Sequence, residues 1–165
     1  TGQSTLPARA QIDTFSGVGR AGYSGDGGAA TGAPLNNPFG VVRGPDGALY
    51  ICDTMNHVIR KVASVGKIST VVGSGRSGYF GDGGPAADAR LNEPYEVRFD
   101  NKGNMFWVER LNHVVRRLDA QDQTVSTVAG TGKEGFSGDV GPAVKAALSQ
   151  PHSIHIRPWG RPLRL

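Results

Sequence analysis

Gly22-Tyr23-Ser24-Gly25-Asp26-Gly27-Gly28 returns as Gly78-Tyr79-Phe80-Gly81-Asp82-Gly83-Gly84 and again as Gly135-Phe136-Ser137-Gly138-Asp139-Val140-Gly141, the starts lying 56 and then 57 residues apart. The flanks repeat in step: Leu35-Asn36-Asn37-Pro38, Leu91-Asn92-Glu93-Pro94 and Leu148-Ser149-Gln150-Pro151. Asn56-His57-Val58-Ile59-Arg60-Lys61 likewise matches Asn112-His113-Val114-Val115-Arg116-Arg117. Self-similarity at a fixed period marks an array of one supersecondary unit that buries its apolar faces only against its neighbours.

Within a repeat, short β-rich runs alternate with turn signals. Phe39–Arg43 leads into the turn Gly44-Pro45-Asp46-Gly47, then come Ala48–Cys52, a polar turn, Val58–Val62, and Ile68–Val72 after Gly66. The second copy gives Tyr95–Phe99, Met105–Val108, Val114–Leu118 and Val125–Ala129. Tight turns between consecutive runs predict an up-and-down meander of four strands. After each glycine-rich phrase, a segment such as Pro85-Ala86-Ala87-Asp88-Ala89-Arg90-Leu91 predicts one or two helical turns with proline at their first position. The link carries the chain from the outer edge of one sheet to the start of the next. Four-stranded sheets joined in this way make an all-β fold, the β-propeller.

The combined phrase Gly-Tyr-Ser-Gly-Asp-Gly-Gly, Leu-Asn-x-Pro-x-Gly-Val, Leu-Tyr-Ile-x-Asp-Thr-x-Asn-His-x-Ile-Arg-Lys-Val resembles NHL-repeat β-propellers, from Ile12 to about Ile156. The resemblance implies blades around a central channel, commonly about six of them. It implies no single activity: members include protein-binding platforms, sensor domains and a few lyases or hydrolases. It also tilts the expected compartment toward secreted or periplasmic.

The repeats divide the chain into a lone fourth strand (1–19), blade 1 (35–75), blade 2 (91–132) and an incomplete blade 3 (148–165), about 2.5 to 3 blades in all. Ile12-Asp13-Thr14-Phe15 aligns with Ile68–Val71, His152–Ile156 has the first-strand pattern, and Leu163–Leu165 is a candidate second strand. Half-blades leave backbone groups and apolar faces open. The expected remedy is self-association, two copies completing a six-bladed ring. The competing account is a fragment of a longer single-chain propeller.

Composition narrows the partners. The 165 residues carry one cysteine, Cys52, which rules out an intrachain disulfide and a multi-cysteine metal site. The net charge is +4, but acids and bases are interleaved except after Asp139, so the sequence argues against a nucleic-acid partner. No apolar run approaches membrane-spanning length.

Asp26, Asp82 and Asp139 recur in every copy, which favours a structural job such as bonding to loop amides over calcium binding. His57 and His113 recur too, and read as packing or hydrogen-bonding groups. Arg60 and Arg116 are expected to pair with Asp53 and Glu109. Departures from the repeat point to function. The position after each inner-strand proline holds Phe39, Tyr95 and His152; the next holds Gly40, Glu96 and Ser153. Arg98 and His155 both align with Val42. Innermost strands line the channel mouth, where ligands bind.

Phe39, Tyr95, Arg98 and His155 are therefore candidate binding residues, for a protein or small ligand at the channel face. Glu96 and His152 are candidates for a metal-ligating or acid–base pair. The alternative they support is a metal-dependent hydrolase or lyase of the lactonase-like propeller type, with calcium, magnesium or zinc as cofactor.

Overall fold

The computed structural model describes residues 12–156. Its strands are β1 (Val41–Arg43), β2 (Leu49–Asp53), β3 (Val58–Val62), β4 (Ile68–Val72), β5 (Pro94–Phe99), β6 (Met105–Glu109), β7 (Val114–Leu118) and β8 (Val125–Ala129). They form two antiparallel four-stranded meanders, β1-β2-β3-β4 and β5-β6-β7-β8. Each meander is one propeller blade. Cross-strand register is equivalent in the two: Ile51 opposes Arg60 in blade 1, and Trp107 opposes Arg116 in blade 2. Both third-to-fourth strand ladders slip at the same place, Ile59/Arg60 and Val115/Arg116. Such a bulge bends the outer strand and increases its twist.

A glycine closes each blade. Gly73 and Gly130 follow the fourth strands at φ 103° and 94°. A Cβ on either would sit 2.6 Å or 2.3 Å from the carbonyl oxygen of His57 or His113. The left-handed φ and the close approach both require glycine there.

The linkers contain single 3-10 turns at Ala30–Gly32, Ala86–Asp88 and Ala143–Lys145. Pro85 and Pro142 flank the last two as extended residues rather than occupying the first helical position. The expected helical turns are thus short and tight, since the following Ala89 and Ala146 are already extended.

The main core lies between the blades. Cys52, Ile59 and Val72 of blade 1 pack with Ala89 and Leu91 of the linker and with Val97, Met105, Trp107, Leu118 and Val125 of blade 2. Blade 1 presents the equivalent face through Ala30, Ala33, Ile51, Val62 and Ile68, with no sheet laid over it among the described residues. The consequence is visible at its inner edge. Val97 is fully buried, whereas Val41, its counterpart, is 58% exposed.

The expected strands at Ile12–Phe15 and His152–Ile156 are absent: both segments are described, and neither joins a ladder. The sequence pattern is there, but a strand exists only through its hydrogen-bonded neighbour. The candidate strand at Leu163–Leu165 lies outside the described residues. Among the described residues, no helix is long and apolar enough to cross a membrane.

Candidate functional site

Three segments bring equivalent residues to one end of the innermost strands. Asn37, Glu93 and Gln150 adopt left-handed φ values of 49°, 51° and 42°, each just before the repeated proline. The turn and the proline's fixed φ together aim the next side chain. The anchors for this geometry come from the preceding blade. His57 and His113 also sit at left-handed φ, and their Nδ1 atoms accept hydrogen bonds from the Glu93 and Gln150 amides at 3.3 and 3.1 Å. Thr54 Oγ1 donates to the Pro94 carbonyl at 2.8 Å. The recurring histidines are therefore joints between successive blades.

The residues so aimed are Phe39, Tyr95 and His152, and they form one row of rings. Phe39 stacks on Tyr95 with centroids 3.9 Å apart, and Tyr95 meets His152 at 4.8 Å. The Arg110 guanidinium lies 5.7 Å from the Tyr95 centroid and is paired with Glu93. Phe39 ends the row and remains 60% exposed. Beside it an apolar groove runs past Phe15, Leu35, Pro38, Val41, Leu49 and Ile51. Gly40 permits this approach of the blades, because a Cβ there would lie 2.5 Å from the Tyr95 carbonyl oxygen.

Both Glu96 carboxylate oxygens have partners other than His152. One carboxylate oxygen pairs with Arg98, and the other accepts the Ile154 amide at 2.7 Å. It pins the segment that follows blade 2. Arg98 also donates to the Val97 carbonyl, and His155 is exposed. Among the described residues, no group of three or more His, Cys, Asp or Glu side chains is placed to hold a metal ion.

A second cluster holds each blade to the linker before it. Arg60, fully buried, bonds Asp53 at 3.2 Å and Asp26 at 2.6 Å. Arg116 does the same with Glu109 at 3.1 Å and Asp82 at 2.7 Å. The second carboxylate oxygens of Asp26 and Asp82 accept the amides of Thr70 and Thr127. Tyr23 and Tyr79 lie under the two guanidinium groups and bond the same threonines' hydroxyls. Asp26 and Asp82 are structural, though their partners are an arginine and an outer-strand amide rather than amides of their own loop. Spacing alone could not find this, because the arginines are 34 residues away and the threonine amides 44 and 45.

Burial pushes the Asp53 and Glu109 carboxyls up from their ordinary range, against the pull of their hydrogen bonds and arginines. Asp26 goes the other way. Burial works to raise it, but the Thr70 bonds and Arg60 charge outweigh that and hold it low. Cys52 is pushed up by burial and is a packing group.

No family model matches the chain. It is 32% identical over 96 residues to NHL repeat-containing protein 2 of Bos taurus, covering 54% of this chain and 13% of that protein. It is 33% identical over 86 residues to the chloroplastic Protein SUPPRESSOR OF QUENCHING 1 of Arabidopsis thaliana, covering 52% of this chain and 8% of the relative. Among solved structures, an auxiliary nutrient binding protein from Bacteroides ovatus superposes with a TM-score of 0.61 at 25% identity, over 77% of this chain and 34% of that one. The chain is similar to NHL-repeat proteins over about half of its length, and its fold is that of a β-propeller. It spans only a small part of its curated NHL relative, 13% of the length.

The histidine joint makes one pH-dependent prediction. Burial lowers the His57 pKa from its ordinary 6.5, with the Glu93 charge opposing. Its Nδ1 accepts a hydrogen bond, which a proton there would abolish. A histidine depressed in the folded state binds its proton more readily in the unfolded chain. Its contribution is present above pH 6.5 and is lost as the pH falls through the lowered value. Urea midpoints measured from about pH 8 to about pH 5 should therefore fall, and less so in His57→Asn, which keeps the left-handed backbone and an acceptor.

Proposed function

We propose that this NHL propeller segment is a binding module whose ligand seats against the ring row Phe39–Tyr95–His152 at the mouth of the inner strands. The observation that carries it is the row itself: three unlike residues at one repeated position, stacked, with Phe39 left 60% exposed above an apolar groove. An aromatic face held open on a rigid scaffold is suited to stacking on a planar or apolar surface. Arg110, lying over Tyr95, supplies a cationic contact at its rim, and Arg98 and His155 of the same and the following inner segments are the further candidates for polar contacts. The nutrient-binding description of the Bacteroides ovatus protein supports a small-molecule ligand. For the hydrolase or lyase alternative, Glu96 would have to leave Arg98 and Ile154, and no observation favours that.

The test is a small-metabolite screen by calorimetry, followed by Phe39→Ser. Burying one aromatic face contributes about 1.5–3 kcal/mol, so affinity should fall roughly tenfold to a hundredfold. An unchanged affinity in Phe39→Ser would remove the row from the site.

We further propose that copies of this chain associate, the Ile12–Phe15 segment of one completing the third blade of the other. Light scattering at about micromolar concentration should give a dimer mass. A well-folded monomer would refute it.

A further inference from the structure

A cleft of about 370 Å³ lies between the two blades, at the end opposite the ring row. Tyr95 stands near the start of β5, whereas the cleft reaches Gly103, in the turn that follows β5. Met105 opposes Leu118, which brings the β7–β8 turn to the same end. Both walls are complete four-stranded sheets. Blade 1 contributes Tyr50 and Lys61, and blade 2 contributes Phe99, Met105, Leu118, Ala120 and Gln123.

Two positions on the blade 2 wall depart from blade 1. Arg43, the counterpart of Phe99, donates to the Gly47 carbonyl of its own turn. Phe99 instead meets the Tyr50 ring edge-on, with centroids 4.7 Å apart, so the cleft has aromatic sides. Gln123 stands where blade 1 has Gly66, each donating its amide to the carbonyl that opens its turn, Asp119 or Ala63. Gln123 keeps glycine's left-handed backbone, φ 59° against 75°. A side chain held in that conformation outside a blade joint is uncommon, and such outliers gather at binding sites. Its Nε2 donates to the Asp119 and Ala120 carbonyls at 3.3 and 3.0 Å, which fixes the amide and keeps Oε1 available as an acceptor. On the blade 1 wall, Lys61 Nζ is held by Asp46 at 2.6 Å and lies 5.7 Å from the Tyr50 centroid. Asp46 takes one of the ammonium's three donors, and the pair has no net charge.

We infer that this cleft binds a flat, uncharged heterocycle carrying a carbonyl and an N–H, the pair that a cyclic amide presents. The carbonyl accepts from Lys61, the N–H donates to Gln123 Oε1, and the ring is buried between Tyr50, Phe99 and Met105. Lys61 by itself would favour an anion. Asp46, bonded to the same ammonium, repels a carboxylate or phosphate placed there. The volume is at the small end for ligand pockets, which suits one or two rings. The site is independent of the ring row, and either can fail without the other.

The test is a titration of the full chain with hypoxanthine, an uncharged two-ring cyclic amide, followed through backbone amide chemical shifts. Naphthoate, an anion of similar size, is the control. The expected result is saturable binding, millimolar or tighter, with the largest shifts at Gly103, Ala120 and Gln123. Gln123→Gly gives the turn the glycine that blade 1 already uses and removes the acceptor, so it should bind about tenfold more weakly. Ala120→Phe fills the cleft from a turn outside the strands and should not bind. Unchanged urea midpoints in the variants confirm that the blades are intact. No shift with hypoxanthine, shifts centred on other amides, or equal binding in Ala120→Phe overturns the site. Equal binding in Gln123→Gly, or naphthoate binding as tightly as hypoxanthine, overturns the ligand class.

Discussion

Arg116→Ala should be among the most destabilising single changes in this chain, at about 3–5 kcal/mol, and should shift the urea midpoint far below that of the parent. The arginine is fully buried between Glu109, Asp82 and the Phe80 and Arg90 carbonyls. Glu109 is equally buried, so removing its cation leaves an uncompensated carboxylate in the core. Burial already raises the Glu109 pKa from its ordinary 4.5, and Arg116 is the largest influence opposing that. Without it the folded-state value rises further. A carboxyl raised in the folded state contributes stability below its unfolded value and loses it as pH climbs through the folded one. The variant should therefore regain part of its stability toward about pH 4, and Glu109→Gln in the Arg116→Ala background should remove that dependence. A midpoint unchanged by Arg116→Ala would mean that the pair is not what joins blade 2 to its linker.

How much of this was legible follows from what each contact depends on. Meander order, turn positions and the pairings Arg60–Asp53 and Arg116–Glu109 could be read because they lie within one blade, where register is set by local period and short turns. The grip of Arg60 on Asp26 and of Arg116 on Asp82 crosses from strand to preceding linker, and no periodicity encodes a partner that distant. The strands expected at Ile12–Phe15 and His152–Ile156 show the opposite limit. Their pattern is legible, but it states only what they would pair with. At the candidate site, alignment of the repeats singled out Phe39, Tyr95 and His152, and the structure stacks them. The same alignment singled out Glu96 without revealing that both its oxygens bond the backbone and side chains around it, since nothing in the sequence shows where a carboxylate turns.

The second large effect is at Trp107, where the two blades differ in a coupled way. Blade 1 has Ile51 and Asp53; blade 2 has Trp107 and Glu109 at the equivalent positions. The longer Glu109 side chain accepts from the Trp107 indole Nε1 at 2.9 Å, a donor that Ile51 lacks. Both residues are fully buried, and the indole ring also lies 5.9 Å from the Arg116 guanidinium. Trp107→Ala opens a large cavity and strips a donor from a buried carboxylate, so the expected loss is about 3–5 kcal/mol. Trp107→Ile tests the coupling. Alone it leaves Glu109 one donor short. Combined with Glu109→Asp it rebuilds the arrangement that blade 1 already uses. A double-mutant cycle on urea midpoints should give a coupling of about 0.5–3 kcal/mol, with the double variant more stable than the sum of the singles predicts. Strict additivity would show that the indole fills space in blade 2 and does not serve Glu109.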